Sequence, residues 1–164
     1  MKTVQLFLLL LLLTALTGCR QRRDGADGRT RFAQAMAALD ADSVQAGEQL
    51  LHEAMRLAQA EGDLHTLYLA QQRLAESLAW SNTEAALAEA KAALATYERH
   101  PDSERNHIIL LDYIGTYASQ LAFNTDGSYD EALAYTRQAC ALAEASRDTL
   151  GAELVCQTLT SLAN

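Results

Sequence analysis

Apolar positions along this chain follow two regimes. From Val4 to Leu16 they are nearly continuous, broken only by Gln5 and Thr14. From about residue 32 onward they recur at intervals of three and four rather than two, with polar side chains between them. That spacing marks one face of an α-helix. Proline is nearly absent and alanine abundant, so the chain lacks helix breakers and is rich in the best helix former. The pattern predicts one all-α domain over residues 32–164, of ordinary single-domain size.

The helical region repeats itself. Gly47, Ala86 and Ala132 each precede another small residue by seven positions, Ala54, Ala93 and Ala139. Each of those alanines is followed by a bulkier apolar side chain, Met55, Leu94 or Cys140. Seven residues are two helical turns, so both small side chains lie on one face and let a neighbouring helix come close. Capping boxes at Asp42-Ser43-Val44-Gln45, Ser81-Asn82-Thr83-Glu84 and Ser128-Tyr129-Asp130-Glu131 predict the helix starts. Gly62 and Pro101 predict stops. Longer periodic stretches, Leu64 to Trp80 and Asn106 to Phe123, precede the second and third segments and carry the bulky-small pairs Leu69-Ala70 and Ile114-Gly115. The predicted unit is a helix, a short turn and a second helix; a plain antiparallel bundle is the competing architecture.

Gly127-Ser128-Tyr129-Asp130-Glu131-Ala132-Leu133 followed by Ala139 resembles the second helix of the tetratricopeptide repeat. The resemblance extends in weaker form over residues 42–164, with Ala90 and Thr136 where that family usually has an aromatic. It implies antiparallel helix hairpins stacked as a right-handed α-solenoid of about three repeats. The spacing between equivalent positions, 39 and then 46 residues, departs from the family's period of about 34. A first helix one turn too long and an extended loop around His100 to Asn106 are the expected causes.

The leader carries the most specific motif. Lys2 is a minimal positive flank, and an apolar run of about 13 residues reaches only about 20 Å, short of the roughly 30 Å hydrocarbon core. A removed signal segment over residues 1–18 fits better than a transmembrane helix. Leu16-Thr17-Gly18-Cys19 resembles the lipobox of bacterial lipoproteins. That resemblance implies cleavage before Cys19, lipidation of its sulfur (diacylglycerol, with an amide-linked chain such as palmitate) and a domain on the extracytoplasmic side of the cell envelope. Arg20 in place of Asp after the cysteine points, by the same resemblance, to the outer membrane. The competing reading is an ordinary secretory leader with Cys19 incidental. Residues 19–31, with Arg20, Arg22, Arg23, Arg29 and Arg31 among glycines and aspartates, read as a flexible tether whose arginines could also rest on anionic headgroups.

Charge narrows the partners. Residues 32–164 hold 7 basic and 19 acidic side chains, a net of −12, and such a surface repels the phosphates of nucleic acid. His52, His65, His100 and His107 fall in different predicted elements, with no cluster at metal-ligand spacing. Carboxylates such as Glu48 with Glu53, or Asp130 with Glu131, read as solvated faces and caps. No nucleophile motif or glycine-rich phosphate loop is present. We therefore expect no enzyme, no cofactor, no metal and no nucleic acid. Cys140 and Cys156 flank a turn near Arg147 and Asp148 in antiparallel helices, so they are either a disulfide, permitted outside the cytoplasm, or two buried thiols.

The tetratricopeptide resemblance places a concave partner groove on the first helix of each unit and selects Tyr68, Gln71, Gln72, Asp112, Tyr113, Thr116 and Tyr117. Tyrosines among amides suit an extended peptide or a partner helix, although each tyrosine could equally be core. Trp80 is either a packing cap or an anchor. The stretch from Leu150 to Asn164 is either a capping helix or the start of a fourth repeat. The functional expectation is a lipid-anchored scaffold that binds a protein or peptide. The alternative is the sensory front of a longer envelope signalling or transcription-regulating protein.

Overall fold

Six helices carry the residues that the computed structural model describes, 27–146: α1 (Gly28–Asp40), α2 (Val44–Glu61), α3 (Leu64–Leu78), α4 (Thr83–Arg99), α5 (Glu104–Thr125) and α6 (Asp130–Ala145). No strand occurs among the described residues, and no helix of theirs is long and apolar enough to cross a membrane. The Leu16–Cys19 motif and Cys156 lie outside the described residues. Connections of two to four residues leave each helix no route but back along its predecessor. The most extensive packing joins α1 to α2, α3 to α4 and α5 to α6. These three hairpins meet through α2 on α3 and α4 on α5, and α1 also touches α3.

Small side chains set the spacing within and between hairpins. Gly47, Ala54, Ala86, Ala93, Ala132 and Ala139 are all buried. A Cβ on Gly47 would come within 2.6 Å of the Leu39 side chain, so α1 and α2 sit at near-backbone distance there. In the third hairpin a Cβ on Gly115 would overlap Thr136 Oγ1. Thr136 therefore fills, from α6, the room that the missing side chain leaves on α5. This accounts for a threonine where the repeat pattern suggested an aromatic; Ala90 stands at the matching position of α4 and is likewise buried.

Larger side chains fill what lies between. Leu51 and Leu74 join Ala35, Ala54 and Ala70 in a core beneath α1 to α3. Tyr68, Ile108, Leu110, Leu111 and Ile114 anchor a second core that reaches α6. Each fully buried Leu or Ile contributes roughly 1.5–3 kcal/mol.

Local details depart from the sequence reading in four places. First, α1 begins inside the segment expected to be a tether: Asp27 caps it, accepting from the Thr30 N–H at 2.7 Å. Arg29 pairs with Asp63 at 2.8 Å and Arg31 with Glu53 at 3.0 Å, so these two arginines hold α1 rather than extend the linker. Second, the helix starts are shifted from the predicted boxes. Asn82, not Ser81, caps α4 by accepting from the Ala85 N–H, while neither Ser43 before α2 nor Tyr129 before α6 caps with its side chain, and Ser128 accepts only from the Asp130 N–H. Third, α5 runs 22 residues against 15 for α3, nearly two turns more. Fourth, the loop expected to be extended is only His100 to Ser103, because α5 starts at Glu104. The stops stand as read: Gly62 closes α2 with φ +73°, and α4 ends two residues before Pro101.

Candidate functional site

α3 and α5 carry all seven groove candidates, but the structure divides them. Tyr68 is fully buried, and Asp112 and Tyr117 nearly so. Gln71 is turned toward α4, where its Oε1 accepts from the Thr96 hydroxyl at 2.9 Å. These four belong to the packing between helices: Tyr68, Asp112 and Tyr117 lie on the buried faces marked by Leu67, Ala70 and Leu74 in α3 and by Leu111, Ile114 and Ala118 in α5, and Gln71 is held by Thr96. Gln72, Tyr113 and Thr116 remain half-buried. Gln72 donates to Glu76 at 3.2 Å, and Arg73 pairs with the same carboxylate. Burial, reinforced by the negative charge of Glu76, pushes the Tyr117 hydroxyl up to about 12 and raises that of Tyr113 as well. The two rings lie 5.8 Å apart.

One turn further along, this face opens into a cleft of about 520 Å³ between the α3–α4 turn and the last two turns of α5. Ala79, Trp80 and Thr83 line it from the α3–α4 turn, Ser119, Gln120, Phe123 and Asn124 from α5, and Tyr129 from the loop before α6. Trp80 is 94% exposed, Phe123 76% and Tyr129 43%. Trp80 is therefore no packing cap. The cause is register: Leu67, Leu74 and Leu78 lie on the inward stripe of α3, and Trp80 follows two positions later, after the helix has ended. Phe123 sits beside Ala122, the inward-facing residue of its turn, which sends the ring outward.

An aromatic ring buries some 150–250 Å². At about 25 cal/mol per Å², leaving one in water forgoes several kcal/mol. Sequence reasoning noted Trp80 and missed Phe123, Gln120 and Tyr129. The signal was present as two bulky aromatics off the periodic stripe, at the ends of α3 and α5.

The opposite end of the molecule is polar. Asp102 receives the Tyr68 hydroxyl, the Asn106 amide at 3.0 Å and His65 Nδ1 at 2.9 Å. Burial opposes its charge, but these hydrogen bonds and His65 outweigh it and hold the carboxyl below its ordinary range. Rings continue the contact from His65 through Tyr68 and Tyr97 to His107, at centroid spacings of 5.3, 5.6 and 5.4 Å. His65 is exposed and, through Asp102, also ties α3 to the loop before α5.

A second cleft, of about 530 Å³, lies here among Asp27, Arg29, Glu61, Asp63, His65 and His100. Its charges are engaged with each other: Arg29 on Asp63, and Glu61 on the Gly28 N–H. No group of side chains that could hold a metal ion occurs among the described residues. Glu48, Glu53, Asp130 and Glu131 are each engaged by Ser77, Arg31, Ser128 and Lys91 in turn. Cys140 is buried, and burial raises its thiol.

Of the two clefts, the aromatic one has the composition of a binding surface, and the polar one the composition of a joint. No family model, curated protein or solved structure matches the chain.

Proposed function

We propose that this chain is a lipid-anchored, tetratricopeptide-like scaffold that grips a segment of another protein in the cell envelope, acting by binding rather than catalysis. One observation carries the binding half: Trp80 and Phe123, from separate hairpins, both stand in water and line one cleft. Clustered exposed aromatics of this kind are the anchors around which interface energy concentrates. The repeat reading is supported by three successive hairpins with buried small residues at equivalent places and by the contact between α1 and α3. The anchor rests on Leu16-Thr17-Gly18-Cys19 and the apolar run before it.

The test replaces Gln120, on the cleft wall, with a photo-crosslinking residue in the full chain in its own envelope. A discrete protein adduct that disappears in Trp80→Ala and Phe123→Ala is the expected result. Absence of an adduct, or the same adducts from the exposed Ala88 position, would refute the scaffold. Labelling with a palmitate analogue, lost in Cys19→Ala, tests the anchor separately.

A further inference from the structure

The Trp80–Phe123 cleft has an uncharged lining, and the charged residues nearest that lining in the chain are all carboxylates; that pairing identifies its occupant. We propose that it takes a cationic segment of a partner protein, with a bulky apolar anchor seated between Trp80 and Phe123 and Lys or Arg residues on either side. The proposal rests on the scaffold reading and adds to it the chemistry of what is bound.

The eight lining residues are all uncharged. Within two chain positions of them lie four carboxylates, Glu84, Asp126, Asp130 and Glu131, and no lysine or arginine. Lys91 answers only one of these, Glu131, at 2.7 Å. The starts of α4 and α6 contribute partial positive charge of about one-half each, which offsets part of this field and leaves it negative. The wider surface has the same sign, with a net of −12 over residues 32–164. A basic segment is thus drawn to this end over distance and held there at contact.

Ser119, Gln120 and Asn124 add hydroxyl and amide groups along the α5 wall. Amides offer both a donor and an acceptor, which suits a peptide backbone and selects no side-chain charge. The aromatic pair therefore supplies the anchor, the amides the register and the carboxylates the sign.

A bilayer is the other surface that accepts exposed aromatics, and two observations count against it. The acidic surround repels anionic headgroups. The cleft also lies at the far end of α3 from Asp27 and Gly28, where the chain enters the domain beside Glu61 and Asp63. The 15 residues of α3 put about 22 Å between those ends.

Trp80 is the sole tryptophan of the chain, so its fluorescence reports this cleft. The test titrates the full chain, in neutral detergent micelles, with three short peptides free of tryptophan. All share a Leu-Leu-Phe centre, flanked by Lys, by Ser or by Glu. The expected result is a saturable blue shift with the Lys peptide, binding about tenfold weaker with the Ser peptide and no shift with the Glu peptide. Raising salt from about 50 mM to about 500 mM should bring the Lys peptide down to the level of the Ser peptide. The combined variant Glu84→Gln, Asp126→Asn, Asp130→Asn should do the same at low salt, and Phe123→Ala should weaken the Lys peptide by about tenfold.

Equal binding of the three peptides, preference for the Glu peptide, or no shift with any of them would overturn the proposal. So would quenching of Trp80 by brominated phosphatidylcholine when the chain is reconstituted without peptide, since the bilayer would then be the occupant. None of these results bears on the Gln120 crosslink: an adduct there without cationic preference here removes the charge assignment and leaves the scaffold standing.

Discussion

At the scale of single residues, two positions concentrate the packing logic. Gly115 is a glycine because Thr136 occupies the space its side chain would need, and Thr136 is fixed there by donating to the Ala132 carbonyl at 2.9 Å. We expect Gly115→Ala to destabilise by about 1–3 kcal/mol, the usual cost of overpacking. Adding Thr136→Ala should recover part of the loss, a non-additivity of at least about 0.5 kcal/mol in urea denaturation. Additive losses would show that the two residues do not compete for one space. Tyr68 is the second position. Its ring is core and its hydroxyl serves Asp102 and Asn106. Tyr68→Phe keeps the ring and should cost about 1 kcal/mol, measured in the same way. Unchanged stability would make that polar network incidental.

At the scale of elements, each second helix buries one stripe of small residues. In α4, Ala86, Ala90 and Ala93 are fully buried while Ala88 on the same helix is exposed. Hydrophobicity alone would rank all four alanines alike. Close approach of helices separates them, since one buried methyl fits where a larger side chain would force α4 off its neighbours. Ala93→Leu should therefore destabilise by about 1–3 kcal/mol, and Ala88→Leu should stay within about 0.5 kcal/mol. Thermal denaturation of the pair decides it, and equal effects would contradict the stripe.

At the scale of the whole molecule, acidic side chains link successive hairpins along one end. Asp63 caps α3 and holds Arg29 of α1, while Asp102, just before α5, holds His65 and Tyr68 of α3. Burial works against both charges, yet hydrogen bonds, with Arg29 beside Asp63 and His65 beside Asp102, keep both carboxyls below their ordinary range. A carboxyl depressed in the folded state stabilises it fully above its unfolded value, near 3.9, and loses that contribution as pH falls through the folded value. Stability should thus decline below about pH 4. The double variant Asp63→Asn, Asp102→Asn, weaker at neutral pH, should show a shallower decline. Parallel curves from pH 6 to pH 2, followed by circular dichroism, would place the acid sensitivity elsewhere. Part of that contribution is screened, since side-chain exposure is 18% at Asp63 and 23% at Asp102.

Helicity, the hairpin order, the buried small residues and the stops at Gly62 and before Pro101 were legible in the sequence, because periodicity and backbone preference act over a few neighbouring residues. The start of α1 was not legible, since residues 28–31 read as tether: its buried residues are only Gly28 and Ala35, too few to make a stripe. It is held instead by Arg29 and Arg31 reaching Asp63 and Glu53, more than 20 positions away. The groove followed the same division. Chain order placed Tyr68, Gln71, Asp112 and Tyr117 on the right helices, but their engagement depended on partners from other elements, such as Asp102 and Asn106 for Tyr68 and Thr96 for Gln71. What residue order alone determined was the set of helices and the small side chains that let them touch. Tertiary packing decided which tyrosines were consumed by the core, and that Trp80 and Phe123, 43 positions apart, would be left in water lining one cleft. Neighbours distant in the chain, not local preference, set that outcome.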